Sequence, residues 1–254
     1  MAPAAGSLRD RVGAAEWKAR VELAVLYRLA ALHGWDDFLF THISARIPGP
    51  ENHFLLNPLG RWFDEITASS LVKVDLEGRV LQDEGAINGA GFVIHSAIHM
   101  ARPDAHFIVH FHSDDGVALA SQKEGLLPLN QRALSVIPRL AYHDYEGIAE
   151  DLSERERLVA NLGDKPMLIL RNHGTLALGP TAAEAWLRIY SLEKAATAQI
   201  RALSAGRGGV LPAPVEAQRT VYDQVRRRPV AIKDGLTWPA IVRKVDRESP
   251  GYDV

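Results

Sequence analysis

The chain has 254 residues, 47% of them hydrophobic, no cysteine, and 29 Lys+Arg against 31 Asp+Glu, a formal charge of −2. Near-neutrality removes the electrostatic drive toward nucleic acid or anionic lipid, and the lack of cysteine removes disulfides, thiolate nucleophiles and Cys-type zinc sites. No window approaches the roughly 20 apolar residues of a membrane span, and the N-terminus lacks the apolar core of a secretory signal, so a cytoplasmic protein with no membrane or nucleic-acid partner is expected.

Residues 15–33 place Val21, Ala24, Val25, Leu29 and Leu32 at helical spacing, with Gly34 as the stop. Apolar runs at 38–47, 53–58 and 71–75, punctuated by Pro48, Gly49, Pro50, Pro58 and Gly60, predict strands. Asn88 is placed to cap a helix from about Gly89 to Ala101, which Pro103 ends because proline cannot continue the hydrogen-bond ladder. "HFIVHFH" (106–112) then predicts the following strand, and "MLIL" (167–170) and "TLAL" (175–178) two more, joined through the turn "RNHG". Thr181 with Glu184 predicts a capping box opening a long helix to about Leu203. "SAGRGG" and "PAP" mark a link into a charged helix and tail over 214–254. The order of elements implies helices on both faces of a mixed sheet. It divides the chain into a main domain, 1–206, and a C-terminal linker, helix and tail, 207–254, packing on that domain or on a neighbouring subunit.

His95, His99, His106, His110 and His112 fall within one short stretch. Alternation along a strand puts His110 and His112 on one face, and burying two imidazoles without a partner is costly, so an ion or a polar network is expected between them. His95 and His99, at i and i+4, share a helix face with Gly91. His106 lies too far along the strand to join and reads as structural or surface. His173 sits in a turn between two apolar strands, and Gly174 after it lets backbone pass close to a ligand or turn left-handed. Three histidines with an open fourth position form the arrangement of a catalytic metal site.

"NGAGFVIHSAIHMARPDAHFIVHFHS", "GLLP", "AYHDYEGI" and "LILRNHGTLALG" together resemble the class II aldolase and adducin head-domain family, in its adducin-like branch. The resemblance runs from about residue 17 to 203. It implies a three-layer αβα fold with a central mixed sheet, assembled as a homotetramer. It also implies one divalent ion per subunit, zinc first and iron or manganese as alternatives, on His110, His112 and His173. Two departures stand out. The metal-coordinating, proton-moving glutamate of the family's sugar-phosphate aldolases corresponds to Gly91. Their phosphate-cradling donors correspond to 41–44 ("THIS"), 58–60 ("PLG"), Gly89 and Ala90, so a phosphorylated sugar is not expected as substrate.

A divalent ion on three neutral imidazoles leaves positions for a bidentate 2-oxo or 2-hydroxy acid, and would act as a Lewis acid for the enediolate formed when a neighbouring carbon–carbon bond breaks. The expected activity is therefore a lyase of aldolase or decarboxylase type on a small carbonyl or carboxylate compound. His95, His99 and Tyr145 are the candidate proton carriers. Two alternatives follow from the same resemblance: a non-haem iron oxygenase that decarboxylates an aryl-2-oxo or 2-hydroxy acid oxidatively, and a non-catalytic interaction module of the adducin kind. Trp62 and Trp238 are candidates for a pocket wall or for interface or core packing, and Arg226 to Arg228 read as a solvated helix end. The apolar spacing of residues 237–254 suggests a segment folded over a neighbouring subunit, helping to close the site.

Overall fold

The computed structural model describes residues 7–49, 52–82, 85–147, 153–227 and 234–254; Pro50, Ile148 and Arg228, which figure in the readings above, lie outside them, as do residues 1–6. A short helix α1 (Leu8–Arg11) precedes α2 (Ala14–His33), which ends at Gly34 with φ 64°. Strands β1 (His42–Arg46), β2 (Phe54–Leu56), β3 (Val72–Val74) and β4 (Val80–Gln82) form an antiparallel run. Helix α3 (Gly89–Ala101) has the predicted bounds, and Asn88 Oδ1 accepts from the Gly91 amide at 3.3 Å. Then come β5 (Phe107–Phe111), α4 (Asp114–Ala120), α5 (Gln131–Val136), β6 (Leu140–His143) and α6 (Glu154–Leu162). The strands β7 (Met167–Leu170) and β8 (Gly174–Gly179) follow, and then α7 (Ala182–Leu203), α8 (Val215–Arg227) and α9 (Asp234–Glu248).

The strands make one sheet in the order β4-β3-β2-β1-β5-β8-β7-β6, in which only β6 and β7 run parallel. β5 is thus held on both sides, by β1 and β8. Its residues alternate between two cores. Phe107, Val109 and Phe111 meet Leu26, Trp186 and Ile189 from α2 and α7, and Ile108 meets Ile94, Ile98 and Leu158 from α3 and α6. His110 shares the face of Ile108. The layers are therefore helix, mixed sheet, helix, as expected.

One expectation needs correction. Thr181 does accept from the Glu184 amide, but the Glu184 carboxylate turns to Arg188 at 2.7 Å, so only half of the capping box forms. The C-terminal tail, expected on its own domain or on a neighbouring subunit, packs on its own domain. Val245 and Tyr252 are buried in the core with α2 and α7, Trp238 packs partly against it, and the Ala68 and Ser69 amides donate to the Tyr252 and Val254 carbonyls at 2.7 and 2.9 Å. The apolar spacing of the tail was real; the surface it covers belongs to the same chain. Among the described residues no helix is long and apolar enough to cross a membrane.

Candidate metal centre

The antiparallel pairing of β5 with β8, Phe111 opposite Thr175, sets the end of β5 beside the turn that carries His173. His110 lies within β5 and His112 one residue beyond it, on the same face, so the two rings and His173 converge. The Nε2 atoms of His110 and His112 are 2.8 Å apart, and those of His112 and His173 2.9 Å. Among the described residues these three form the group able to hold a metal ion, their ligand atoms all within 4.8 Å of one another. Of the two uses foreseen for Gly174, close approach is the one realised: a side chain there would collide with the Phe111 carbonyl oxygen and lie 3.1 Å from the His112 ring. The left-handed residue of the turn is Asn172, φ 54°.

The proton positions follow from the partners. His110 Nδ1 faces the Thr175 carbonyl oxygen at 2.9 Å and His112 Nδ1 faces a carboxylate oxygen of Asp37 at 2.9 Å. A carbonyl or carboxylate oxygen only accepts, so both Nδ1 atoms donate, and in a neutral ring the lone pair then sits on Nε2. Burial, then the neighbouring His112 and His173 rings, push the His110 pKa well below its usual value; burial and His112 lower that of His173 to about 4. Lone pairs meeting at these distances repel unless a shared proton or a metal ion lies between them. Neutral imidazoles oriented by a carbonyl and a carboxylate are the form in which histidine binds divalent metals, so the residues present fit such an ion.

A second layer holds these ligands. Glu193 on α7 is buried and accepts from the hydroxyls of Ser113, next to His112, and Thr175, whose carbonyl orients His110. Burial pushes its carboxyl pKa up, with the two hydroxyls opposing. Thr41 donates its hydroxyl to the His110 carbonyl.

The candidate proton carriers are distributed unequally. His95 and His99 are buried and belong to a chain of hydrogen bonds under the triad: His42 Nδ1 to His95 Nε2, 2.9 Å; His95 Nδ1 to Ser44 Oγ, 2.6 Å; Ser44 Oγ to His99 Nε2, 2.8 Å; His99 Nδ1 to the Ala105 carbonyl oxygen, 2.9 Å. Neither ring bonds to a ligand histidine; His42, whose ring centre is 5.0 Å from that of His110, stands between. Tyr145 is exposed and lines a surface cleft with Lys123, Asp144, Arg171 and Asn172, the residue before His173. His106 is exposed. Trp62 is exposed and meets Phe38 edge to face at 5.0 Å. Sequence reasoning missed Asp37, His42, Ser44, Thr175 and Glu193. For His42 and Ser44 a signal existed: two polar residues one apart in an apolar strand, as in His110 and His112.

A mixed sheet covered on both faces, with three imidazoles gathered at the end of an inner strand, defines a three-layer αβα protein with an all-histidine candidate metal centre. Residues 21–200 match the Class II Aldolase and Adducin N-terminal domain family, and the chain belongs to it. It is 62% identical to a Caulobacter vibrioides protein named as a candidate class 2 aldolase, over 97% of this chain and 96% of the relative. An aldolase II superfamily protein from Pseudomonas syringae, known from its crystal structure, is 49% identical and superposes with a TM-score of 0.93 over 98% of this chain and 100% of that one. Alpha-adducin of Rattus norvegicus is 45% identical over 74% of this chain, a match that spans 26% of the adducin.

Proposed function

We propose that the protein is a metal-dependent carbon–carbon lyase acting on a small, non-phosphorylated 2-oxo or 2-hydroxy acid or related carbonyl compound. One divalent ion per subunit is held by His110, His112 and His173. The convergence of three Nε2 atoms, two of them on rings whose Nδ1 is held by the Thr175 carbonyl and Asp37, carries this reading. Zinc suits a neutral, all-nitrogen donor set, with iron and manganese as the alternatives. When bound, such an ion acts as a Lewis acid on a carbonyl oxygen and holds the negative charge that develops there as the adjacent carbon–carbon bond breaks.

The chain's own residues prepare the rest. Asp37 and the Thr175 carbonyl keep the rings turned inward, and Glu193 ties together the two segments that carry them. The hydroxyls of Thr41 and Ser44 are engaged inside the fold and Leu59 presents an exposed apolar side chain, which supports a substrate without a phosphate. Phe38 and Phe40, exposed on the loop that carries Asp37, offer apolar surface beside the site. Tyr145 opens onto solvent in the cleft that also contains Asn172, the residue before His173, and is the proposed proton carrier on the solvent side. His95 and His99 act through His42. A cytoplasmic homotetramer is part of the proposal; the exposed rings of Phe38, Phe40 and Trp62 support burial against another subunit, and light scattering tests it.

Elemental analysis of protein purified without added metal, followed by anaerobic cleavage assays on a panel of 2-oxo and 2-hydroxy acids, tests the function. Zinc with anaerobic cleavage is expected, and His110→Ala and His173→Ala should lose both ion and activity. Iron with substrate-dependent oxygen uptake would replace the lyase by the oxygenase, and metal without any turnover would favour the interaction module.

A further inference from the structure

The hydrogen bonds beneath the triad admit one orientation only. The Ala105 carbonyl oxygen accepts, so His99 Nδ1 donates to it. His99 is buried, which lowers its pKa to about 3, and its neutral ring then offers Nε2 as an acceptor to the Ser44 hydroxyl. With its proton committed, Ser44 Oγ accepts from His95 Nδ1. His95, likewise neutral through burial, accepts at Nε2 from His42 Nδ1. The last ring, His42, is therefore left with a bare lone pair on Nε2.

That atom has no hydrogen-bond partner among the described residues, and it is not one of the wholly buried unpaired atoms, so it keeps access to solvent although His42 as a whole is buried. A ring nitrogen acceptor that is unpaired within the chain and open to solvent beside the triad is free to take a donor from a bound molecule. Its surroundings say which side that donor comes from. His42 pairs across the sheet with His110, and its ring centre stands 5.0 Å from that of His110. On the α3 side a side chain at Gly91 would lie 2.7 Å from His42 Nε2 and 2.8 Å from Cγ, so the ring fills the notch that glycine leaves open.

We propose that His42 Nε2 is a hydrogen-bond acceptor for the hydroxyl of a molecule bound at the triad, so that the site selects 2-hydroxy acids over 2-oxo acids of the same skeleton. This rests on the proposed function for the presence of the ion. A 2-hydroxy acid brings a proton to the lone pair; a 2-oxo acid brings a second lone pair and is repelled. His42 is a specificity-determining residue, and His95, Ser44 and His99 are positioning residues that fix its tautomer.

Calorimetric titration of the zinc-loaded protein with lactate and with pyruvate, together with the imidazole nitrogen spectrum of the same sample, tests the proposal. The wild type should bind lactate at least about tenfold more tightly. In Ser44→Ala the preference should shrink to about twofold or less, as a rescue-free His42 can then carry its proton on either nitrogen, while zinc content is unchanged. Ser44→Thr should restore the preference. In the wild-type spectrum His42 should be protonated at Nδ1. Equal affinity for the two acids, or a preference that survives Ser44→Ala, would overturn the proposal. Should neither acid bind a protein that retains its zinc, the substrate reading fails and the nitrogen spectrum decides alone: a proton on His42 Nε2 overturns the acceptor role, and a bare Nε2 upholds it. Failure to bind zinc at all counts against the metal centre itself, and the same spectrum then decides on the metal-free protein.

Discussion

Gly91→Ala is expected to destabilise the protein, against the usual rule that alanine improves a helix. At an ordinary helical position the exchange gains roughly 0.5–1 kcal/mol. Here the new Cβ would sit 2.7 Å from His42 Nε2, while ordinary contact begins near 3.4 Å, so the ring or the helix must yield by about 0.7 Å. His42 cannot yield freely, being wedged against His110 and bonded to His95 at 2.9 Å. Overpacking of this kind costs about 1–3 kcal/mol, and stretching the His42–His95 bond leaves buried polar atoms unpaired at about 1–3 kcal/mol more. The net loss is about 1–5 kcal/mol. Urea unfolding at fixed protein concentration measures it, with Gly89→Ala as the control, since a side chain at Gly89 meets nothing within 4 Å. Equal stability of the two variants would refute the packing argument and with it the placement of His42.

Removing the second layer should loosen the first: Asp37→Ala is expected to weaken zinc binding about 10–100-fold in chelator competition, and unchanged affinity would show that the His112 orientation does not depend on it. Glu193→Leu leaves the Ser113 and Thr175 hydroxyls without their acceptor and should cost about 2–4 kcal/mol in urea unfolding; a neutral effect would contradict their pairing. The metal-free protein should lose stability in acid. His42, His95, His99, His110 and His173 all have lowered pKa values, so above about pH 6.5 they are neutral folded and unfolded, and below it only the unfolded chain takes up protons. Each contributes up to about 1.4 kcal/mol per pH unit, down to the folded values near 4 and 3 for His173 and His99; a flat profile between pH 7 and 5 would disprove it. Deleting residues 234–254 uncovers the face that Val245 and Tyr252 bury and should lower stability by about 3–6 kcal/mol by thermal or urea unfolding, whereas an unaffected domain would mean the tail is only loosely seated.

Long periodic segments were legible in the sequence. The α2 pattern, the Asn88 cap and the apolar runs of β5, β7 and β8 appear where their spacing placed them, because each carries a full period and a marked end. β4, α4 and α6 were not, being too short or too polar for a period to stand out. The same limit governs the site. Alternation along one strand sufficed to put His110 and His112 on one face, and the glycine-bearing turn marked His173. Asp37, His42 and Glu193 depend on which strand lies beside which and on how α7 crosses the sheet, facts carried by long-range pairing and invisible in any local window. His95 and His99 were rightly seen to share a stripe with Gly91. That the stripe is read out through a ring on the neighbouring strand required the register of β1 against β5.

The one-way polarity of the bonds from Ala105 to His42 has a bearing on descent. Because each donor is dictated by the link before it, a change at Ser44, His95 or His99 orphans its neighbours on both sides, and a change at His42 orphans His95. Lineages are then expected to inherit these four positions as a block or to rewrite them together, with residue 91 free to grow a side chain only in those that have abandoned the ring at 42.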